Sequence, residues 1–168
     1  MPDTYRVIIT GHDAAGRSCV AGYHVVHERE AGNVNFWMTG TGPDLADGRP
    51  GAFPFFPANG RSVFRLFRLP PVDPVMPAEA VAALADRFFA GIGLEAAKVD
   101  TSRDPFMHRT PTIDHILVLS GEVSLVLDEG EPVRLRPFDA VVQRGTNHAW
   151  VNTGSEPALL MAVMVGGE

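Results

Sequence analysis

From residue 113 onward, short apolar runs recur at intervals of about ten residues, and turn-forming residues separate them. The runs cover 113–119, 123–127, 133–135, 140–142, 149–151 and 158–165. Gly121-Glu122 and Asp128-Glu129-Gly130-Glu131 divide the first three. Each piece is too short for a stable helix but long enough for a strand. Regular short strands with tight turns predict an antiparallel sandwich or barrel.

The first hundred residues are cut up in the same way. Runs at 5–9, 19–26, 34–38 and 63–69 read as further strands, the last carrying two arginines among Val63, Phe64, Leu66, Phe67 and Leu69. The stretch 40–57 is rich in glycine and proline and ends in Phe53, Phe55 and Phe56, which reads as a loop packed against the core or a second subunit. One helix is predicted from Pro77 onward. Val81, Leu84, Phe88 and Phe89 share a face for core packing, and Gly91 and Gly93 supply the stop. The expected organisation is one domain over 1–168: N-terminal strands and loop at 1–76, the helix at 77–93, and the core at 105–168.

With 14 basic and 20 acidic residues and a formal charge of −6, the chain lacks the basic patch that nucleic-acid binding needs. No apolar run is long enough to span a membrane, and residues 1–6 show no signal-peptide core. Cys19, the single cysteine, excludes an intrachain disulfide, fits a cytoplasmic setting and reads as a small buried hydrophobe. No Gly-x-Gly-x-x-Gly, phosphate loop or Gly-x-Ser-x-Gly elbow is present, so no nucleotide cofactor is expected.

The chemistry-bearing stretch runs from Met107 to Asn152. If 108–114 is extended, His108, Thr110, Thr112 and Asp114 share one face, and His115 points the other way. Trp150 has the parity of His148. Arg109 and Arg144 offer guanidinium forks for a substrate carboxylate or face solvent. His12, His24 and His27 lack ligand spacing and read as structural.

On these residues the chain resembles the cupin superfamily of small β-barrels. His108 takes the first histidine place of the family's first motif, Asp114 its glutamate place and Gly121 its glycine place, with Thr110 where a second histidine stands. In the second motif Gly145, His148 and Asn152 match in register and Gln143 replaces proline. Pro137-Phe138-Asp139 is similar to the family's Pro-Gly-Asp turn.

The resemblance implies an all-β cupin (double-stranded β-helix, jelly-roll) barrel with additional N-terminal strands and one short helix. It implies a site of His108, Asp114 and His148, either metal-free or holding a divalent ion (Fe, Mn, Zn or Ni) as a facial triad. Thr110, Thr112, Trp150 and Arg109 are the expected substrate contacts, with Gly145 and Asn152 structural. The expected function is an enzyme that isomerises, cyclises, decarboxylates or eliminates from a small oxygenated organic molecule. The alternatives are a non-catalytic ligand-binding barrel and an Fe(II)-dependent dioxygenase. The expected partners are a small-molecule ligand and, as commonly for small cupins, a second copy of the chain in a homodimer.

Overall fold

The computed structural model describes residues 4–28, 32–40 and 55–167. Its elements in order are β1 (Thr4–His12), β2 (Ser18–His27), β3 (Asn33–Thr39), β4 (Ser62–Leu69), α1 (Ala78–Gly91), β5 (Thr112–Ser120), β6 (Val123–Leu127), β7 (Val133–Leu135), β8 (Ala140–Arg144), β9 (His148–Asn152) and β10 (Ala158–Gly166). Every strand expected from the sequence is present, its ends shifted by three residues at most. Most of the stretch 40–57, Phe53 included, lies outside the described residues.

The strands form an all-β barrel of two facing antiparallel sheets, ordered β3-β4-β10-β5-β8 and β7-β6-β9, with β1 and β2 as a separate hairpin. β10 explains the layering. It sits between β4 and β5 and carries no charged or strongly polar side chain in Ala158–Gly166. A strand covered on both faces reads as a continuous apolar run. On one face Leu160, Ala162 and Met164 join Ile116, Val118, Val123, Leu125 and Leu135 in the core between the sheets. On the other, Leu159 and Met161 pack with Val26, Val34, Leu66, Tyr5 and Val7, so the hairpin covers the outside of the larger sheet.

Beyond that contact the hairpin is bare. Ile8, Val20, Tyr23 and Val25 are exposed, and so is Cys19, paired with Gly11. This corrects the buried reading of Cys19: a two-stranded ribbon covers a side chain only where it lies on the sheet beneath.

α1 follows Pro77 at the N-cap position and ends where Gly93 adopts φ +69°. Ala85 and Phe89 are its buried residues. Val81, Leu84, Phe88 and Phe89 form its apolar face as expected, but that face lines a cavity and closes one side of the barrel. No helix among the described residues is long and apolar enough to cross a membrane.

Candidate active site

The cavity has a volume of about 480 Å³ and lies between the two sheets, with α1 along one side. Its wall is mostly apolar, drawn from Phe67, Leu84, Phe88, Ile116, Leu160 and Met164 among others. Such a volume suits a small organic molecule. His108, Thr110, Asp114, His148, Trp150 and Asn152 also line it.

The register explains their convergence. Leu127 pairs with His148, Leu125 with Trp150 and Val123 with Asn152, so three alternate residues of β9 face inward beside the core residues of β6. His108 and His148 form an isolated antiparallel bridge, and their rings stand 4.4 Å apart centre to centre. Phe89 of α1 lies 5.3 Å from the His108 ring, and Trp150 meets His148 edge-on at 5.8 Å.

Each imidazole is tied by Nδ1. That of His108 is 2.9 Å from the carbonyl oxygen of Phe106. That of His148 is 2.8 Å from the Thr146 carbonyl and 2.9 Å from Gln143 Nε2. The two hydrogens of Gln143 Nε2 are taken up by the Thr146 carbonyl at 2.8 Å and its hydroxyl at 2.7 Å. Nδ1 of His148 therefore carries a proton and donates it to the carbonyl, leaving Nε2 as the basic nitrogen, and a carbonyl partner assigns the same tautomer to His108.

Burial keeps both rings neutral. It pushes the His108 pKa down, partly opposed by the Phe106 carbonyl. Burial and then the neighbouring His108 push His148 down to about 3, against the pull of Thr146. A second proton on so close a pair is strongly disfavoured, so the pair holds at most one. Asp114 moves the opposite way: burial raises it to about 6, against Thr112, Arg65 and His115.

The inward parity of Thr110, Thr112 and Asp114 holds; all three are buried, while His115 and Arg109 are exposed. Three expectations are corrected. Arg109 does not line the cavity: its odd position turns it out of the barrel, and its Nε donates to the Gly145 carbonyl at 2.9 Å. Thr112 stands behind the wall, its hydroxyl donating to Thr110 Oγ1 at 2.9 Å.

The third correction concerns metal. Among the described residues no three His, Cys, Asp or Glu side chains come together as a metal-binding group, so His108, Asp114 and His148 do not assemble as a triad. The two imidazoles offer free Nε2 atoms, but Thr110 brings a hydroxyl where a third imidazole would stand. The residues present do not complete a three-ligand centre.

Asn152 and Gly145 serve the framework. Asn152 Nδ2 donates to the carbonyls of Leu69 and Glu156, both at 2.8 Å, and Gly145 adopts φ +64° with Thr110 O only 3.0 Å from where a Cβ would sit. Two residues with a bearing on the site escaped the sequence reading. Gln143 holds Thr146, whose carbonyl accepts from His148, and its departure from the motif's proline was the available signal. Arg65, on β4, is 1% exposed and faces the interior.

A family model described as "Cupin domain" matches residues 97–164. The chain is 48% identical over 62 residues to phomopsin biosynthesis cluster protein D of Diaporthe leptostromiformis, covering 37% of this chain and 33% of that protein. It is 40% identical over 62 residues to the cupin-domain-containing oxidoreductase srdD of Neurospora crassa, covering 35% and 32%. The matched stretch thus spans about a third of the length of these curated relatives. Among solved structures, an RmlC-like cupin with a double-stranded β-helix fold from Methanocaldococcus jannaschii is similar at 15% identity and a TM-score of 0.40, over 62% of this chain and 70% of that one. Residues 97–164, which carry His108, Thr110, Asp114, His148 and Asn152 of the cavity wall, are a cupin domain.

Proposed function

We propose that this protein is an enzyme that moves a proton on a small oxygenated organic molecule held inside the barrel. The carrying observation is the pair of neutral imidazoles, 4.4 Å apart, each with Nδ1 fixed by a backbone carbonyl. A positioned neutral imidazole is the usual general base near neutral pH. His108 takes the proton, because its pKa is lowered by burial alone whereas His148 is also lowered by its neighbour. His148 accepts a hydrogen bond through Nε2, and Asp114, with a pKa of about 6, returns or holds a proton on the opposite wall.

Removing a proton next to a carbonyl leads to isomerisation, cyclisation or elimination, and loss of a carboxylate leads to the same enolate. Apolar walls from both sheets and α1 exclude water from it. The printed names of the relatives, a biosynthesis cluster protein and a cupin-domain-containing oxidoreductase, support a role in small-molecule biosynthesis.

The test is deuterium uptake from D2O into a panel of cyclic β-diketones and aryl ketones, followed by mass spectrometry. The native protein should accelerate exchange at the α carbon of at least one compound, with His108→Gln slowing it roughly a hundredfold. Compounds that bind without exchanging would favour the non-catalytic barrel instead. We also infer a homodimer, supported by the exposed apolar row Ile8, Val20, Tyr23 and Val25. A single 18.1 kDa species in light scattering would overturn it.

A further inference from the structure

Asn152 Nδ2 donates to the Leu69 carbonyl at 2.8 Å, and the Arg109 N–H donates to the Ala97 carbonyl at 2.8 Å. These two bonds anchor the ends of a long excursion that contains α1. Between them, residues 70–96 make no hydrogen bond or ion pair to a barrel strand among the described residues. Only Ala85 and Phe89 of this stretch are buried. Yet Val81, Leu84, Phe88, Phe89 and Ile92 line the cavity. The excursion is therefore held on the barrel by the same apolar side chains that cover the cavity.

The rest of the wall is built differently. Its residues on β4, β5, β9 and β10 sit in continuous ladders, and His108 is bridged to His148. The stretch leading to His108 is tied by Arg103, which donates to the Leu127 and Gly130 carbonyls at 2.8 and 2.6 Å. A cavity that surrounds its ligand must open to admit it. The segment that opens most readily is the one with few buried residues and no hydrogen bonds to its surroundings.

Both ends of α1 are free to pivot. Pro70 and Pro71 have no N–H with which to join a ladder. At the other end, a Cβ on Gly91 or Gly93 would meet nothing within 4 Å, so packing does not restrain the turn. One contact spans this second pivot. The Lys98 ammonium donates to the Asp86 carboxylate on α1 and lies 5.7 Å from the centre of the Phe89 ring. Lys98 directly follows the anchored Ala97, and Phe89 stands 5.3 Å from the His108 ring. Asp86 is 69% exposed, so water competes for the pair and it holds weakly, as suits a fastening that must release.

We propose that α1 is a hinged lid over the cavity, swinging as a unit between Pro70–Pro71 and Gly91–Gly93, and that Lys98 is the latch that holds it shut. This rests on the reading of the cavity as the substrate site and states how a substrate reaches the histidine pair. Opening lifts Phe89 off His108. Closing sets Val81, Leu84 and Phe88 against the ligand, so the part of the ligand beneath the lid is apolar and its polar group faces the histidines.

Thiol labelling of the full chain tests the lid. In a Cys19→Ser background, Ala85→Cys puts a thiol on the buried side of α1, and Ala162→Cys puts one in the core on β10. Iodoacetamide should label the first roughly tenfold or more faster than the second, at a rate that low urea leaves unchanged, while the α1 amides stay protected from deuterium exchange. Adding Lys98→Met should speed that labelling severalfold, and 2-acetylnaphthalene, an apolar aryl ketone, should slow it. Equal labelling of the two thiols overturns the lid, as does a ketone that binds without slowing the first. Exchange of the α1 amides at the labelling rate also overturns it, because the helix would then unravel instead of swinging. No effect of Lys98→Met overturns the latch. If the ketone does not bind but labelling otherwise follows expectation, the substrate reading falls and the lid stands. If the cysteine variants do not fold, carbethoxylation by diethyl pyrocarbonate, mapped by mass spectrometry, replaces them. His108 should then react severalfold faster in Lys98→Met than in the native protein, with exposed His115 unchanged; equal His108 rates overturn the proposal.

Discussion

His108 and His148 are joined twice over, each donating its backbone N–H to the other's carbonyl, at 2.9 and 3.0 Å, beneath rings 4.4 Å apart. The backbone bridge fixes the separation of the Cα atoms, and the Nδ1 contacts fix how each ring turns. Nitrogen shifts of the labelled histidines at pH 7 should therefore report two neutral rings protonated at Nδ1, and His148 should stay neutral down to about 3. Gln143→Ala should loosen the His148 ring and admit the other tautomer, with His108 unchanged. An ordinary titration of His148 near 6.5 would rule out the buried pair.

Phe138 adopts φ 75°, the only non-glycine residue with positive φ among those described, and it stands where the family's turn carries glycine. Its peptide group is fixed: its N–H donates to Val118 O at 2.8 Å, and the Asp139 carboxylate accepts the Arg136 N–H at 2.8 Å. The left-handed conformation costs a side-chain-bearing residue roughly 1–2 kcal/mol, which glycine's extra entropy in the unfolded state only partly offsets. The ring is 78% exposed and loses little burial on removal. Phe138→Gly should stabilise the protein by about 0.5–1 kcal/mol, a rise of a few degrees in Tm. Phe138→Ala, which keeps the Cβ, should not. A lower Tm for the glycine variant would show that the ring contributes packing beyond its exposure.

The sequence made the strands and both histidines legible because each announces itself locally, through alternation and through motif spacing. Arg65 was not legible in this way. In Val63–Leu69 both faces are covered, the inner by the barrel core and the outer by the hairpin, so alternation has no polar side from which to read direction. Parity likewise placed Thr112 and Asp114 inward correctly but gave no depth along the barrel. Depth decides that Thr112 backs the wall and that Asp114 stays apart from the histidine pair.

Two buried groups pull the pH dependence of stability in opposite directions. The unfolded chain protonates His148 near its ordinary 6.5, while the folded chain resists until about 3. In that window the unfolded state binds more protons, so the stability His148 contributes is lost as pH falls below 6.5. Asp114 keeps its proton up to about 6 when folded against 3.8 unfolded, so its contribution is present below 3.8 and lost as pH rises through 6. Asp114→Asn should therefore stabilise the protein by about 1–3 kcal/mol at pH 8, with a gain that vanishes towards pH 4. The raised value already includes the attraction to Arg65, so loss of that partner does not reverse the sign. Urea denaturation at several pH values measures both limbs, and His148→Gln should flatten the acid one.

Thr110 offers the sharpest test of why this barrel stops at two imidazoles. It is buried, lines the cavity, and shares the inward parity of His108, with its hydroxyl accepting from Thr112. A histidine there would bring a third imidazole to a pair whose Nε2 atoms are already free and whose tautomers are already set, the arrangement second-shell carbonyls provide for metal ligands. Thr110→His should therefore gain Co(II) affinity by roughly a hundredfold or more over the native protein, with a visible d–d spectrum that His148→Ala abolishes. The native protein, with two nitrogen donors, should bind Co(II) weakly. Tight native binding lost in His108→Ala and Asp114→Ala would mean that Asp114 swings to the pair and that the triad forms after all. An unchanged affinity in Thr110→His would mean that the rings cannot converge on one ion, and the 4.4 Å stacking itself would then be what keeps metal out.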